Sequence, residues 1–167
     1  MNPRKAAKLA DIALLVLDVD GVLTDGRLYF SARGEALKVF HVRDGRGIVL
    51  LLRAGVTVAA ISGRSSGAVA KRMRELGVKH LVQGVEDKVA ALERLARRLK
   101  VPLLRCACIV DDTTDLPLMS AVGFAAAVAD AHPLVLRAAH WVARANGGAG
   151  AVRELCDEIL RARAKVD

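Results

Sequence analysis

Short apolar runs alternate along this chain with stretches of helical periodicity, and no other feature constrains the fold as much. The apolar runs predict six strands, at Ile12–Leu17, Val56–Ile61, His80–Gln83, Cys106–Val110, Phe124–Val128 and near Trp141. Helical spacing is found at about Arg46–Ala54, Ser66–Leu76, Asp87–Leu99, Leu116–Val122, Pro133–Ala139 and Ala151–Ala162. This alternation predicts a doubly wound, Rossmann-like α/β fold, with a parallel sheet covered by helices on both faces. At 167 residues, the chain is expected to form a single domain, residues 1–167.

One segment, at about residues 25–44, interrupts the alternation. Two short β-like runs, Arg27–Phe30 and Ala36–His41, flank the glycine-containing stretch Ser31–Glu35 and predict a β-hairpin. This hairpin, called the flap below, would emerge directly above the end of the first strand. It can be a simple connector, but an isolated hairpin is marginal in water. We therefore expect it to pack on something, such as a neighbouring subunit.

Two carboxylates, Asp18 and Asp20, follow the first predicted strand. At the carboxyl end of a parallel strand, one member of such a pair can attack an electrophile while the other transfers protons. A calcium loop also begins Asp-x-Asp, but it needs oxygen ligands and a glycine where this chain has Val22, Leu23 and Tyr29. The pair therefore favours acyl-phosphate chemistry.

The second predicted strand ends in a sequence suited to holding phosphate. Ser62, Gly63 and Arg64 follow it and lead into the next helix. A hydroxyl and backbone N–H groups at a helix N-terminus form a cradle for an anion. A plain helix cap by Ser65 or Ser66 explains the same pattern equally well.

Three cations near the predicted strand ends are candidates for binding an acidic substrate. Arg64 and Arg72 can reach an acidic group of the substrate, although either also fits a surface position. Lys88 lies in the first turn of a helix, where a cation opposes the helix dipole, so an anion is expected nearby. It could bridge the phosphoryl group and the attacking aspartate, or simply pair with Glu86 or Asp87 at the surface.

Three carboxylates, Asp111, Asp112 and Asp115, follow the fourth predicted strand within five residues. Such a group repels itself unless a cation lies among its members, which predicts a metal that prefers oxygen ligands, such as magnesium. A solvated acidic loop is the alternative, and it is less favoured after a wholly apolar strand. Asp115 is also expected to cap the helix that begins at Leu116.

Composition excludes several classes of function. The net charge of +8 suggests nucleic acid, but only 3% of residues are aromatic and the cations are spread along the whole chain, so we expect no nucleic-acid partner. The basic start and the short apolar run after it fit neither a signal peptide nor a membrane span. The three cysteines are expected to be reduced packing residues, in keeping with a cytoplasmic protein.

The motifs together resemble a known family. The pattern is Asp18-x-Asp20-Gly-Val-Leu-Thr, Ser62-Gly-Arg64, Lys88 and Asp111-Asp112-x-x-Asp115. In this order and spacing it is similar to the four motifs of the haloacid dehalogenase-like phosphatase superfamily. The stretches at 20–26, 40–47, 127–133 and 147–154 further resemble the capless 3-deoxy-D-manno-octulosonate 8-phosphate phosphatases. This similarity extends over nearly the whole chain.

The resemblance implies a role for each motif residue. Asp18 would be the nucleophile that forms a phosphoaspartate, and Asp20 would act as the acid for the leaving alcohol and then as the base for water. Ser62 and Lys88 would hold the transferring phosphoryl group. The reaction would release the free sugar acid in lipopolysaccharide precursor synthesis.

The resemblance also implies a magnesium site. The Asp18 carboxylate, the Asp20 backbone carbonyl and Asp111 would bind the ion, and Asp112 and Asp115 would support these ligands. The family usually has glycine directly before the Asp111-Asp112 pair, whereas this chain has Val110, whose side chain can crowd the metal loop.

Substrate contacts and assembly follow from the same resemblance. Besides Asp20 and Lys88, the residues that would contact the sugar acid are His41, Val42, Arg43, Asp44, Gly45, Gly63, Arg64, Arg72 and Arg153. The segment before Arg153 is either a flexible base that presents this arginine near the site or a glycine-rich turn before a helix. The family forms homotetramers in which the flaps build a barrel between subunits and a neighbour helps to close the site.

Two other readings stay open. A related phosphatase would act on a nonulosonate 9-phosphate, although Arg64 favours the octulosonate because the nonulosonate relatives tend to carry an acidic residue there. A non-catalytic phospho-acceptor module, like a response-regulator receiver, also carries acids and a lysine. Asp20 argues against it, because a receiver needs no acid for a leaving alcohol.

Overall fold

A computed structural model describes residues 3–164, with side chains from residue 7 onward. Its helices are α1 Pro3–Ala10, α2 Val42–Arg53, α3 Gly67–Glu75, α4 Lys88–Leu99, α5 Leu116–Ala121, α6 Pro133–Ala138 and α7 Ala151–Arg163. Its strands are β1 Leu14–Leu17, β2 Tyr29–Ser31, β3 Gly34–Leu37, β4 Thr57–Ile61, β5 His80–Val82, β6 Cys106–Val110, β7 Phe124–Ala127 and β8 Trp141–Val142. Two short 3₁₀ turns lie at Leu103–Arg105 and Thr113–Asp115.

Six strands form one parallel sheet in the order β5-β4-β1-β6-β7-β8. The chain builds outward from β1 to β4 and β5, and then returns to the other side of β1 with β6, β7 and β8. This reversal confirms the predicted doubly wound fold and leaves a crevice at the carboxyl ends of the central strands, where ligands bind in such sheets. Strands β1, β6 and β7 are buried along their whole length, as their apolar sequences predict.

The flap is present, but the bounds predicted for it are wrong. Its strands pair antiparallel at Tyr29–Ser31 and Gly34–Leu37, with an irregularity between Tyr29 and Phe30, and they form a separate two-stranded sheet. The second strand ends at Leu37 because His41 already caps a helix: its Nδ1 accepts a hydrogen bond from the Arg43 N–H at 3.2 Å.

Helix α2 consequently begins at Val42, four residues before the predicted start at Arg46. The two glycines of its first turns masked the helical pattern, and tight packing explains them. A Cβ at Gly45 would lie 2.3 Å from Nη2 of Arg72, and one at Gly47 would lie 3.0 Å from Cδ of Arg153. Helix α1 was not predicted from the sequence.

The remaining fold predictions concern the membrane and the cysteines. Within residues 3–164, none of the helices is both long and apolar enough to span a membrane. All three cysteines are unpaired and buried, as expected for packing residues.

Candidate active site

The register of the central sheet brings the predicted motifs to one edge. Leu17, the last residue of β1, pairs with Ala60 of β4 and Ile109 of β6. Asp18, Ser62 and Asp111 therefore leave the sheet side by side. They line an open cavity of about 540 Å³ whose walls also include Asp20, Gly63, Arg64, Lys88 and Asp112.

Lys88 lies between two carboxylates. Its Nζ is 2.9 Å from Oδ1 of Asp18 and 2.8 Å from Oδ1 of Asp115. Burial alone would lower the pKa of Lys88, but the two carboxylates outweigh it and raise that pKa above its ordinary value. The alternative surface pairing with Asp87 is not seen, because Asp87 caps α4 by accepting a hydrogen bond from the Ala90 N–H at 2.8 Å. The position of Lys88 against the helix dipole is thus explained by anions that face it.

Three carboxylates, those of Asp18, Asp111 and Asp115, converge with an oxygen of each within 4.8 Å of the others. Burial, reinforced by the charge of Asp18, raises the pKa of both Asp111 and Asp115 to about 7. A divalent cation would relieve this repulsion, and carboxylate oxygens are the ligands that magnesium prefers. The donor set therefore fits magnesium.

Asp115 and Asp112 make different contacts at this edge of the sheet. Asp115 occupies the N-cap position of α5, as predicted, but its side chain makes no capping hydrogen bond and instead faces Lys88 and the carboxylate cluster. The side chain of Asp112 accepts hydrogen bonds from the backbone N–H and the hydroxyl of Thr113, and the residue is exposed. A Cβ at Gly21, whose φ is +85°, would lie 1.9 Å from Oδ2 of Asp111, so the loop after β1 needs glycine there.

Asp20 faces the flap and not the carboxylate cluster. Lys38 donates a hydrogen bond to its Oδ1, and Nε of Arg64 lies 3.7 Å from its Oδ2. Lys38 also pairs with Glu35 of the same hairpin at 3.2 Å. Sequence reasoning missed Lys38 and Glu35. The available signal was a pair of opposite charges in a hairpin predicted to lie above the aspartates.

Comparison with known proteins agrees with this geometry. The family model described as haloacid dehalogenase-like hydrolase matches residues 78–155. The 3-deoxy-D-manno-octulosonate 8-phosphate phosphatase of Yersinia pestis is 48% identical over 160 residues, which are 96% of this chain and 86% of that protein. The chain belongs to the family of 3-deoxy-D-manno-octulosonate 8-phosphate phosphatases.

Solved structures of this phosphatase family have the same fold as the chain. The crystal structure of the Yersinia pestis enzyme has a TM-score of 0.93 at 47% identity, covering 96% of this chain and 87% of that one. The Moraxella catarrhalis phosphatase, solved in complex with magnesium, phosphate and KDO, has a TM-score of 0.95 at 37% identity, covering 99% and 95%.

The remaining residues expected to contact the sugar acid in this phosphatase family cluster around the first turns of α2 and α7. The Asp44 carboxylate is buried and accepts a hydrogen bond from the Arg153 N–H at 2.7 Å. Burial raises the pKa of Asp44, and the hydrogen bond from Arg153 opposes that rise. A Cβ at Gly150 would lie 4.0 Å from Cε1 of His41 and 3.8 Å from Nη2 of Arg43, so both side chains border the start of α7.

The residues around the first turns of α2 and α7 are connected through a glycine turn to the loop that follows Asp18. A Cβ at Gly147 would lie 1.8 Å from the carbonyl oxygen of Gly21, and the Gly148 N–H donates to the Val22 carbonyl at 2.9 Å. Two structures were predicted for the segment before Arg153, a flexible base or a glycine-rich turn. The structure has a glycine-rich turn that leads into α7. Arg153 itself pairs with Asp157 at 2.8 Å.

Arg72, Val42 and Val110 are the other positions that the sequence singled out. Arg72 pairs with Glu75 at 3.0 Å, and its guanidinium lies against Gly45. Val42 is 78% exposed. Val110, where the phosphatase family usually has glycine, ends β6 with its side chain wholly buried, so it is packed within the core.

Proposed function

We propose that this chain is a magnesium-dependent phosphatase that hydrolyses 3-deoxy-D-manno-octulosonate 8-phosphate to the free sugar acid and phosphate, in lipopolysaccharide precursor synthesis. One observation carries the proposal: Lys88 contacts Asp18 at the end of β1, Asp18 belongs to a carboxylate cluster, and Asp20 lines the same cavity. Such an arrangement suits the transfer of a phosphoryl group to an aspartate.

Charge determines how the substrate is held. A phosphomonoester is a dianion, and the carboxylate of Asp18 cannot approach it until the negative charge is offset. The Lys88 ammonium contacts Asp18 already, and Ser62 offers a hydroxyl together with the backbone at the start of the following loop. When bound by Asp18, Asp111 and the Asp20 carbonyl, magnesium supplies the remaining positive charge. Asp112 and Asp115 would support these ligands.

Asp18 then attacks phosphorus in line with the leaving oxygen. The negative charge of the transition state is spread over the equatorial oxygens, which Lys88 and Ser62 face. Asp20 gives a proton to the leaving alcohol, and it later takes a proton from the water that hydrolyses the phosphoaspartate. The two aspartates differ in their surroundings as these roles require, because Asp18 faces Lys88 and Asp20 faces the flap.

The sugar acid would extend from the phosphoryl group toward basic side chains. Arg64 at the cavity wall is suited to the carboxylate of the substrate, and Gly63 leaves its backbone accessible beside it. His41, Val42, Arg43, Asp44, Gly45, Arg72 and Arg153 would form the distal part of this surface. Because Asp44 is buried, we assign it to orienting the start of α7 around the sugar.

Assembly and location complete the proposal. We propose a single catalytic domain without a cap, working in the cytoplasm, where its three unpaired cysteines stay reduced. The flap carries exposed apolar side chains, including Phe30 at 61% and Leu37 at 48%. These fit a homotetramer in which flaps from different subunits pack together and cover the exposed apolar side chains.

The test is phosphate release from the octulosonate 8-phosphate, compared with a nonulosonate 9-phosphate and a hexose 6-phosphate, with magnesium and with chelator. We expect strong preference for the octulosonate and dependence on magnesium. Asp18→Asn should abolish turnover, whereas the matched control Asp11→Asn, at the opposite end of β1, should not. Full activity of Asp18→Asn would refute the nucleophile assignment, and equal rates on all three substrates would refute the substrate.

A further inference from the structure

Lys38 of the flap is a nearly inaccessible cation. Its side chain is 2% exposed, and it lies between the carboxylates of Asp20 and Glu35. Lysine is almost never fully buried unless it is paired, because removing its ammonium from water is costly. A lysine on a short two-stranded hairpin would ordinarily extend into solvent. Its burial therefore indicates that this ammonium is held in place by the two acids.

The contacts of Glu35 connect this lysine to the body of the domain. The Ser66 hydroxyl, at the N-terminus of α3, donates a hydrogen bond to Oε1 of Glu35, and the other oxygen of Glu35 receives Lys38. Arg64 approaches both acids, at 3.7 Å from Asp20 and 3.8 Å from Glu35. The resulting chain of contacts runs from Ser66 through Glu35 and Lys38 to Asp20, so the position of the flap determines the position of the Asp20 carboxylate.

We propose that Lys38 is a positioning residue for Asp20 in the second half of the reaction, an inference that rests on the proposed phosphatase function. In that half, a water oxygen bonds to phosphorus as the bond between phosphorus and the Asp18 oxygen breaks. Asp18 leaves as a carboxylate, and Asp20 takes the proton of the water. Asp20 must be fixed near the phosphoryl group for this step, and the Lys38 ammonium that pairs with its carboxylate holds it in place.

Lys38→Met keeps the aliphatic stem and removes the charge. We expect the phosphoaspartate to form but to break down about tenfold more slowly, since base catalysis as a whole contributes about 10²–10⁴-fold and a misplaced base loses part of it. With p-nitrophenyl phosphate, whose leaving group needs no proton, one equivalent of p-nitrophenol per site should appear in a burst, followed by a slow steady rate. When the reaction is quenched with acid, nearly one equivalent of phosphate per site should remain bound to the enzyme. Hydroxylamine should release this phosphate.

Controls separate positioning from folding and from substrate binding. Lys38→Arg should restore most of kcat and remove the burst, and Glu35→Gln should reproduce the Lys38→Met pattern more weakly. Arg33→Ala, an exposed cation in the turn of the same hairpin, should leave both phases unchanged. If Lys38→Met does not fold, Glu35→Gln gives the same comparison.

The possible outcomes are distinguishable. Slower phosphoenzyme formation without accumulation in Lys38→Met, or wild-type behaviour of that variant, would overturn the role of Lys38 while leaving the phosphatase function intact. A wild-type chain that neither forms a phosphoenzyme nor releases phosphate with magnesium would overturn the proposed function and this inference together.

Discussion

The carboxylate cluster makes the metal-free fold sensitive to pH, and replacing Asp115 by asparagine tests this directly. Asp115 is wholly buried, and its pKa is raised from 3.8 to about 7 by burial first and by the charge of Asp18 second. A carboxyl group with a raised pKa in the folded state contributes stability that is fully present below pH 4. That contribution is lost as the pH rises through 7, because the unfolded chain releases the proton more easily.

The size of the effect follows from linkage. One extra proton bound by the folded state changes the free energy of unfolding by about 1.4 kcal/mol per pH unit. Between pH 5.5 and the pKa near 7, this amounts to about 2 kcal/mol. Asp111 titrates in the same range and repels Asp115 directly, so we treat the two as sharing one such proton. The metal-free wild-type protein should therefore lose about 2 kcal/mol from this cluster between pH 5.5 and pH 8.

The assay is urea unfolding at pH 5.5 and pH 8 in the presence of a chelator, with the variants Asp115→Asn and Asp112→Asn. Between pH 5.5 and pH 8, Asp115→Asn should lose at most half as much free energy of unfolding as the wild type. The variant of the exposed residue, Asp112→Asn, should lose nearly as much as the wild type. All other titratable groups are common to the three proteins and cancel in the comparison. Equal pH dependence in wild type and Asp115→Asn, or greater stability of the wild type at pH 8, would refute the reasoning.

Four further predictions concern Lys88, the start of α7, the glycine turn before it and magnesium binding. Lys88→Met should reduce kcat by at least about 10²-fold, as measured by phosphate release. Lys88→Arg should also have a low kcat, because the guanidinium does not fit between two fixed carboxylates. Asp44→Ala should lower the free energy of unfolding by about 1–3 kcal/mol in urea, since the partly buried N–H of Arg153 loses its acceptor; an unchanged midpoint would contradict this. Gly147→Ala should reduce both stability and turnover, because its Cβ would lie 1.8 Å from the Gly21 carbonyl, and wild-type behaviour would argue against that packing. Saturating magnesium should raise the wild-type unfolding midpoint at pH 8 more than at pH 5.5, and chelator should reverse the rise.

The sheet could be predicted from the sequence because its central strands are buried and read as continuous apolar runs. The catalytic edge followed from them, since residues directly after neighbouring parallel strands must lie together. Asp18, Ser62 and Asp111 could be grouped in this way without any long-range contact. The start of α2 could not be predicted, because Gly45 and Gly47 allow close packing against α3 and α7. A local sequence pattern does not reveal such neighbours.

The contacts of Asp20 were beyond sequence reasoning for a different reason. Hairpin strands of three and four residues bury no apolar side chains in the core of the domain, so their packing on the domain depends on a few charged side chains. Lys38 and Glu35 look like surface residues in the sequence, and their burial arises only once the flap lies over Asp20 and Ser66. Lys38 contacts Asp20 directly, and Glu35 joins Lys38 to Ser66, so the position of the flap and the contacts of Asp20 depend on the same few charged groups.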